Sequence, residues 1–541
     1  MQIHELTPVG FWQPDSYTPA FFPQEMIPII HNIREPVHIV REGPGKALGL
    51  ACKGQVFSTS QPPAKGYQLM ASLPALYPEW LGDRSFLEVH KLRFPYVSGA
   101  MFRGIASSRM VIAMGKAGMI GFFGAAGLPV PAVEKAVDEI QKALDPMGLS
   151  YGSNLIHSPH EPDMEEAIVD LYLRRGVRRV SAAAFMSLSP SIVKYSAKGL
   201  HTDPQGNILR VNHVFAKLSR PEVAKHFLEP APGKILNQLV AQGKLTQQEA
   251  QLAAHVPIAE DITVEADSGG HTDNRPLPAL FPTILLLRDE MVKKYGYKRP
   301  IRVGAAGGLG SPPAVAAAFA MGAAYVLTGS INQSTLESGL SMEGRKMLAN
   351  ACVADCTMAP AADMFELGVK VQVLKKGTLF SNRASQFYRI YSSYDSIESI
   401  PPDIRDRLEK EAFKAPMQQI LKDTYDYFKT RNPKEIEKAE NDPKYKMALV
   451  FRWYLGNSAR WAMEGTADRN YDYQICSGPA IGAFNNWVRG SFLEPTENRK
   501  VVDIALNLLE GAAVVTRAQQ LRTYGLPVPG VAFDFRPRPL S

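Results

Sequence analysis

The chain has 541 residues, more than a single hydrophobic core usually supports, so a large domain with appended or inserted parts is expected. Hydrophobic residues make up 45% of the chain and charged residues 21%, which excludes a disordered, collagen-like or disulfide-stapled protein. The net charge is +7, but lysine and arginine are spread along the chain without a basic helix or a nucleic-acid-binding motif. Nucleic acid is therefore not predicted as a partner.

The four cysteines are too few and too scattered for a disulfide framework: Cys52, Cys352, Cys356 and Cys476. Cys352 and Cys356 could share one helical turn, but no histidine lies near them in sequence, so no metal site is predicted. The amino terminus lacks a basic region followed by an apolar core, and no run of about 18 apolar residues occurs. We expect a reduced, cytoplasmic protein without a membrane segment.

Residues 1–85 are rich in proline and aromatic residues, which predicts an irregular region that wraps around the rest of the chain. From residue 94 onward, short β-prone runs alternate with helical segments, most of which open with proline, and this is the pattern of successive βα units. Eight strands are predicted: Arg93–Gly99, Met119–Phe123, Ser150–Ile156, Arg179–Phe185, Val211–Leu218, Asp261–Ala266, Ile301–Ala306 and Ala324–Thr328.

Eight βα units in one chain predict an α/β fold, a (β/α)₈ TIM barrel over residues 86–375. A helical insertion is predicted between the fifth and sixth strands, at residues 230–257, where it would cap or line the barrel mouth. Residues 376–541 are predicted to form a mainly α-helical domain that binds the substrate. The alternative is an open doubly wound sheet, but its phosphate-binding glycines would follow the first strand, and here they follow the seventh.

Two glycine-rich turns give the strongest chemical signal: GGLG (307–310) after the seventh strand and LTGSIN (327–332) at the end of the eighth. In many barrels, backbone N–H groups of these two loops hold a phosphate. The candidate phosphate-binding residues are therefore Gly307, Gly308, Gly310, Gly329 and Ser330, although the first three glycines could also only permit tight turns. No GxGxxG fingerprint opens a first βαβ unit, so a phosphate-bearing flavin fits better than a Rossmann dinucleotide site.

A polar segment, ADSGGHTDNRP (266–276), directly follows the sixth strand. Gly269 and Gly270 would let the chain pass close to a flat ring, and Asp267 and Ser268 are candidate contacts to the same cofactor. His271 would project into the barrel mouth as a proton donor or orienting group near neutral pH. The alternative is that the polar side chains of this segment only cap the next helix.

Two further polar residues lie on otherwise apolar strands, Lys217 on the fifth strand and Asn154 on the third. A buried lysine needs a partner, and the pyrimidine edge of a flavin, where negative charge collects on reduction, would provide one. The alternative is a lysine that reaches solvent from the strand end. Asn154 could hydrogen-bond ring heteroatoms, and neither residue alone specifies a cofactor.

Several motifs resemble, in order and spacing, the FMN-dependent barrel family of nitronate monooxygenases (2-nitropropane dioxygenases) and FMN-type enoyl-ACP reductases: GSNLIHSP, VFAKLSRPEVA, SGGH, GAAGGLGSP and LTGSIN. Two longer stretches resemble the PfaD-type trans-acting enoyl reductases of polyunsaturated fatty acid and polyketide synthases: ADSGGHTDNRP and YQICSGPAIGAFNNWVRGSFLE. The resemblance runs from residue 80 to residue 535 and covers nearly the whole chain.

The resemblance implies an FMN cofactor, NADPH or NADH as the reductant, and an acyl carrier protein as the partner that presents a trans-2-enoyl thioester. It implies FMN contacts at Asn154, Lys217, Gly269, Gly308, Gly329 and Ser330, with Gly270, Gly307 and Thr328 adjacent. It places His271 at the family's catalytic histidine, and His271, solvent or a tyrosine is the candidate proton donor after hydride transfer.

One departure from the family pattern bears on the reaction. Many nitronate monooxygenases carry glutamine and Glu-Ala before the two glycines, where this chain has Val264 and Asp267-Ser268. The departure disfavours a nitronate monooxygenase-like flavin oxidase, which stays the first alternative. A scaffolding subunit without turnover is a second alternative, and a barrel lyase or isomerase is a third, although paired catalytic carboxylates are not evident. A homodimer is the candidate assembly.

Overall fold

The computed structural model describes residues 7–58, 63, 65–159 and 161–540, with only the backbone described at residue 430. Eight parallel strands form a closed barrel in chain order, because each strand pairs with the next and the eighth pairs with the first. The strands are Tyr96–Ser98, Ile120–Phe123, Gly152–Ile156, Arg179–Ala183, His213–Leu218, Asp261–Glu265, Arg302–Ala306 and Val326–Thr328. The predicted TIM barrel and its eight strands are confirmed.

The barrel is covered by helices that alternate with the strands, as a (β/α)₈ fold requires. Seven of them follow their strands directly: Ser108–Lys116, Val130–Leu144, Pro162–Arg175, Pro190–Ala197, Pro221–Leu228, Leu277–Tyr295 and Pro312–Ala320. The eighth position is taken by a helix from the far end of the chain, Val501–Thr523, which packs against both Pro312–Ala320 and Ser108–Lys116. Residues 329–500 are therefore one long connection between the eighth strand and its helix.

The helix Val501–Thr523 belongs to the barrel because its apolar face completes the outer layer. Leu508, Leu509 and Ala512 are fully buried, and Gly511 lies so close to Pro312 that an added Cβ would be 2.6 Å from the proline ring. The prediction of one helical domain over residues 376–541 is therefore wrong for the helix Val501–Thr523, which belongs to the barrel. Periodicity predicted the helix but could not show which layer it joins.

The long connection lies over the mouth of the barrel, since it starts at the C-terminal end of the eighth strand. It contains an antiparallel hairpin, Cys356–Pro360 with Lys370–Leu374. The remainder is mainly helical, as predicted: Met342–Ala349, Phe380–Ser393, Pro402–Arg407, Met417–Arg431, Pro433–Asn441, Pro443–Glu464 and Ala480–Val488. In the part of the chain that the structure describes, no helix is both long enough and apolar enough to cross a membrane.

The amino-terminal region is a sheet, so the prediction of irregular structure for residues 1–85 is wrong. Five antiparallel strands pair in the order Leu48–Cys52, Val37–Arg41, Tyr67–Leu73, Gly10–Gln13 and Gln55–Phe57, and a helix covers them at Pro23–His31. Apolar side chains such as Ile30, Ile39 and Leu50 form a small core with Leu521 at the end of the last helix. The prolines lie outside the strands, where they do not interrupt the pairing.

The predicted insertion is helical, Gly233–Ala241 and Gln247–Ala253, but it does not line the mouth. It follows the helix Pro221–Leu228 and precedes the start of the sixth strand, so it lies at the opposite, N-terminal side of the barrel. Glu249 pairs there with Lys198 at 3.2 Å, and Ser196 donates to the Ile258 carbonyl at 2.8 Å. The prediction that the insertion caps or lines the barrel mouth is therefore wrong.

Candidate active site

A lysine and a glutamate form the top layer of the barrel interior. Lys217 lies two residues after Phe215, whose ring packs in the barrel centre, so both side chains point inward. The Lys217 ammonium contacts the carboxylate of Glu265 at the end of the neighbouring sixth strand. The Lys217 side chain is 18% exposed and the Glu265 side chain is 16% exposed, so the pair lies at the boundary between the core and the mouth.

Asn154 lies on the third strand, in the same top layer. Its Nδ2 donates to the Ser181 carbonyl at 2.9 Å, whereas its Oδ1 has no hydrogen-bond partner among the described residues and is not fully buried. The hydroxyl of Ser181 is buried without a partner in the same set of residues. The side-chain amide of Asn154 is thus held in place, and its Oδ1 remains available as an acceptor at the mouth.

The two glycine-rich turns leave open space at the ends of the seventh and eighth strands. A Cβ added to Gly308 or Gly329 would meet no atom within 4 Å, and Gly308 has a left-handed φ of +73° that favours glycine. Gly307 differs, since an added Cβ would lie 2.8 Å from the backbone of Ala266 and Asp267. Gly307 therefore serves the close packing of two strand ends, and the accessible backbone is at Gly308 and Gly329.

The hydroxyl groups of the eighth strand end have protein partners. Thr328 Oγ1 lies 2.7 Å from the Tyr96 hydroxyl and 3.0 Å from Asn332 Nδ2, beneath the surface of the mouth. Ser330 Oγ accepts a hydrogen bond from the Gly478 N–H at 3.0 Å. Because both hydroxyl groups have protein partners, any cofactor contact of Thr328 and Ser330 would be made by the backbone, and the predicted contacts stay predictions.

The segment after the sixth strand is held by Gln372 of the hairpin. Gln372 Nε2 donates to Asp267 Oδ1 and to the Ser268 carbonyl, both at 2.7 Å, and its backbone exchanges two hydrogen bonds with Gly270. Ser268 Oγ in turn donates to Glu265 at 3.2 Å. The Asp267 and Ser268 side chains thus order the segment, and their predicted cofactor contacts stay predictions.

A third segment, residues 475–479 (the 475–479 loop), lies on the segment that follows the sixth strand. An added Cβ at Gly269 would come within 2.7 Å of the Ser477 backbone, so this glycine accommodates the loop. Gln333 Nε2 donates to the Cys476 carbonyl at 2.5 Å and fixes the loop to the turn after the eighth strand. The loop therefore connects the ends of the sixth and eighth strands across the mouth.

His271 is half exposed at the rim of the mouth and pairs with Asp363. Its Nε2 lies 3.1 Å from Asp363 Oδ2, and the two side chains are 47% and 61% exposed. The hydrogen bond that His271 donates to the Asp363 carboxylate raises the pKa of His271 above its ordinary value, and burial partly opposes this. Lys217 lowers and Glu265 raises the same pKa, with smaller effects. The structure thus brings His271 within electrostatic range of the Lys217–Glu265 pair, and the Asp363 carboxylate stabilises the protonated form of the imidazole relative to the neutral form.

Sequence reasoning missed Glu265, Asp363, Gln372 and the 475–479 loop. Glu265 could have been found, because it is an acidic residue at the end of a strand and directly precedes the polar segment. The loop lies within the quoted YQICSGPAIGAFNNW motif, whose run of small residues indicates close backbone contacts. Asp363 and Gln372 carried no signal, since only the hairpin brings them to the mouth.

One cluster at the opposite end of the barrel has the residue types of a metal site: His90, His213 and Asp261. Both Asp261 oxygens already accept from Arg302, at 2.6 and 2.9 Å. His90 uses both ring nitrogens, on Asp261 and Arg179. Burial alone would raise the pKa of Asp261, but Arg302 and His90 hold it far below its usual range. The cluster is thus part of a buried ion network.

The mouth fits a flavin that carries a phosphate. Open backbone at Gly308 and Gly329 suits an anion, because backbone N–H groups can approach it without a side chain in the way. Asn154 offers an acceptor and Lys217 a cation on the other side of the mouth. FMN contacts at these four residues remain a prediction, which the geometry permits.

Fold and site together define a parallel (β/α)₈ barrel whose mouth is roofed by the connection between the eighth strand and its helix. The enoyl reductase domain of MlnA from the macrolactin biosynthesis cluster of Bacillus amyloliquefaciens has a similar structure, with a TM-score of 0.79 and 41% sequence identity. The match covers 82% of this chain and 99% of that domain. The chain belongs to this enoyl reductase family of synthase-associated barrels, as the motifs indicated.

Relatives in two kinds of synthase agree with this membership. One of the polyunsaturated fatty acid synthase subunits of Thraustochytrium sp. is 47% identical over 84% of this chain, and the polyketide biosynthesis protein PksE of Bacillus subtilis is 46% identical over 82%. This chain spans 31% of the first relative and 58% of the second. Residues 394–473 match the family model of the acyl-carrier-protein S-malonyltransferase inserted helical domain.

Proposed function

We propose that this protein is an FMN-dependent enoyl reductase that acts in trans and reduces trans-2-enoyl thioesters on an acyl carrier protein with NADPH or NADH. Its setting would be the cytoplasmic biosynthesis of polyunsaturated fatty acids or polyketides. The observation that carries the proposal is the match along 99% of an enoyl reductase domain, combined with the open glycine turns at the two strand ends.

The chain's own residues bind and orient the reactants in this proposal. Gly308 and Gly329 hold the phosphate of FMN through their backbone, and Asn154 and Lys217 contact its ring. When bound, FMN supplies the two-electron chemistry that no side chain can provide. His271, whose pKa the neighbouring Asp363 carboxylate raises, donates a hydrogen bond to the thioester oxygen, where negative charge develops.

Three arginines mark the side of the mouth where a carrier protein would dock. Arg103 lies in the loop after the first strand, and burial together with nearby Arg460 and Arg431 lowers its pKa. Arg431 stacks on Tyr427 at 4.3 Å and keeps an exposed guanidinium, and Arg460 is 53% exposed. Arg431 and Arg460 lie within the segment that matches a domain named for a carrier-protein enzyme. An acidic carrier surface would be attracted here.

Anaerobic absorbance of the purified protein tests the proposal. NADPH should bleach the flavin bands, and a crotonyl thioester added next should restore the oxidised spectrum within seconds. Recovery driven by dioxygen or a nitronate but not by the thioester would indicate the oxidase alternative. A colourless protein that cannot be loaded with FMN but binds the carrier would indicate a scaffold.

A further inference from the structure

The Lys217 ammonium is not a free cation at the mouth. The carboxylate of Glu265 contacts it directly from the neighbouring strand, and Ser268 Oγ donates to the other carboxylate oxygen at 3.2 Å. The Glu265 side chain is 16% exposed, so water screens the contact only weakly. Glu265 is therefore fixed from two sides in a position where its charge opposes that of Lys217.

We propose that Glu265 is a positioning residue that holds the Lys217 ammonium in place and tunes the reduction potential of the bound flavin downward. The proposal rests on the proposed function, because it assigns Lys217 to the flavin ring. A flavin gains negative charge on reduction, and a neighbouring cation stabilises that charge. The Glu265 carboxylate cancels part of this effect, so the reduced flavin is a stronger reductant toward the enoyl thioester.

The contacts distinguish this role from that of a salt bridge that only stabilises the barrel. Both residues occupy the last inward-facing position of their strands, beyond the aromatic layer formed by Phe215 and Tyr325. Lys217 and Glu265 also act on His271 with opposite signs, since Lys217 lowers and Glu265 raises the pKa of that histidine. A pair that influences the predicted catalytic histidine lies where a bound ring would also feel its charge.

The first experiment needs no cofactor. The pKa of His271 is measured by NMR in the FMN-free protein with ¹³C-labelled histidine, in the wild type, Glu265→Gln and Lys217→Met. Loss of the Glu265 charge should lower the pKa of His271, and loss of the Lys217 charge should raise it. If the pKa of His271 is the same in the three proteins, the Lys217–Glu265 pair lies too far from the mouth to act on a bound ring, and the proposal is overturned.

The second experiment measures the flavin midpoint potential in the FMN-loaded proteins. Glu265→Gln should shift the equilibrium toward reduced flavin by about tenfold, which is about 30 mV for a two-electron couple. Lys217→Met should shift it in the opposite direction, and the double variant should lie closer to the wild type than either single variant. The rate of enoyl-driven reoxidation should fall in Glu265→Gln, because its flavin is a weaker reductant.

A matched control is Glu229→Gln, which breaks the pair between a partly buried carboxylate and the exposed Lys294, 3.2 Å apart, at the other end of the barrel. It should leave both the His271 pKa and the potential unchanged. If Glu265→Gln behaves like this control, the proposal fails while the enoyl reductase function stands. If the wild-type flavin is not reoxidised by an enoyl thioester, the proposed function fails, and with it the proposal that rests on it.

Discussion

Replacing Gly308 with alanine tests whether the turn after the seventh strand holds the cofactor phosphate. The added methyl group meets no protein atom within 4 Å, so the structural cost comes from the left-handed backbone at φ +73°, about 1–2 kcal/mol. The methyl group would occupy space that a phosphate needs for close approach to the backbone. Loss of one charge-assisted hydrogen bond costs about 1.5–3 kcal/mol, so FMN affinity should fall by about tenfold to a hundredfold.

Gly296→Ala is the matched control, because Gly296 also has a left-handed φ, +65°, and open space around it. It ends the helix Leu277–Tyr295, away from the mouth, so both variants should lose similar stability in thermal unfolding. FMN affinity is measured by fluorescence titration of the apoproteins. Equal affinity in the two variants would refute the assignment of the phosphate to this turn.

Three further predictions concern other parts of the molecule. Asp261→Asn should cost about 3–5 kcal/mol in urea unfolding, because the buried Arg302 loses the carboxylate that accepts two of its hydrogen bonds and keeps only Glu260, at 4.0 Å, as a charged partner. Arg431→Glu with Arg460→Glu should raise the KM for carrier-bound enoyl substrate at least tenfold and leave that of a pantetheine thioester within twofold. Asp363→Asn should lower the pKa of His271 in an NMR titration, because it removes the hydrogen bond that raises it. Since the pKa of His271 is raised and that of Asp363 is lowered in the folded state, the wild-type pair stabilises the fold most between about pH 4 and pH 6.5. The contribution is lost as the pH rises through the raised pKa of His271 or falls through the lowered pKa of Asp363.

The stability prediction and the docking prediction each have a control. Asp289→Asn alters an exposed carboxylate, 64% accessible, and should change the free energy of unfolding by less than about 1 kcal/mol. High salt should reduce the KM difference between carrier-bound and free substrate, since surface charges are screened. A KM that rises equally for both substrates would contradict docking at the arginines.

The barrel could be predicted from the sequence because each strand and helix carries its own local signal. Proline at the first turn marks helices such as Pro162–Arg175, and short β-prone runs mark the strands. What could not be predicted depends on contacts between distant segments. The position of Val501–Thr523 in the helix layer follows from packing partners hundreds of residues away. The amino-terminal strands pair with segments tens of residues away in the chain.

The candidate site also combines residues that the sequence indicates locally with residues that only contacts between distant segments bring together. The glycine turns at 307–310 and 327–332 and the histidine at 271 could be predicted, because each directly follows a strand whose end lies at the barrel mouth. Lys217 was also predicted, but its partner Glu265 was not, since pairing across two strands depends on their register. Asp363 and Gln372 reach the mouth only through the hairpin that the long connection forms.

The position of the helix Val501–Thr523 determines when the barrel can be completed during synthesis. The eighth strand ends at Thr328, and residues 329–500 must be made before the helix that covers its neighbours appears. At about 5–20 residues per second, this takes roughly 10 to 35 seconds. During that interval the faces of Pro312–Ala320 and Ser108–Lys116 that later contact the helix are uncovered on the ribosome-bound chain. Truncation within the last helix therefore leaves these apolar surfaces exposed, however complete the cofactor site is.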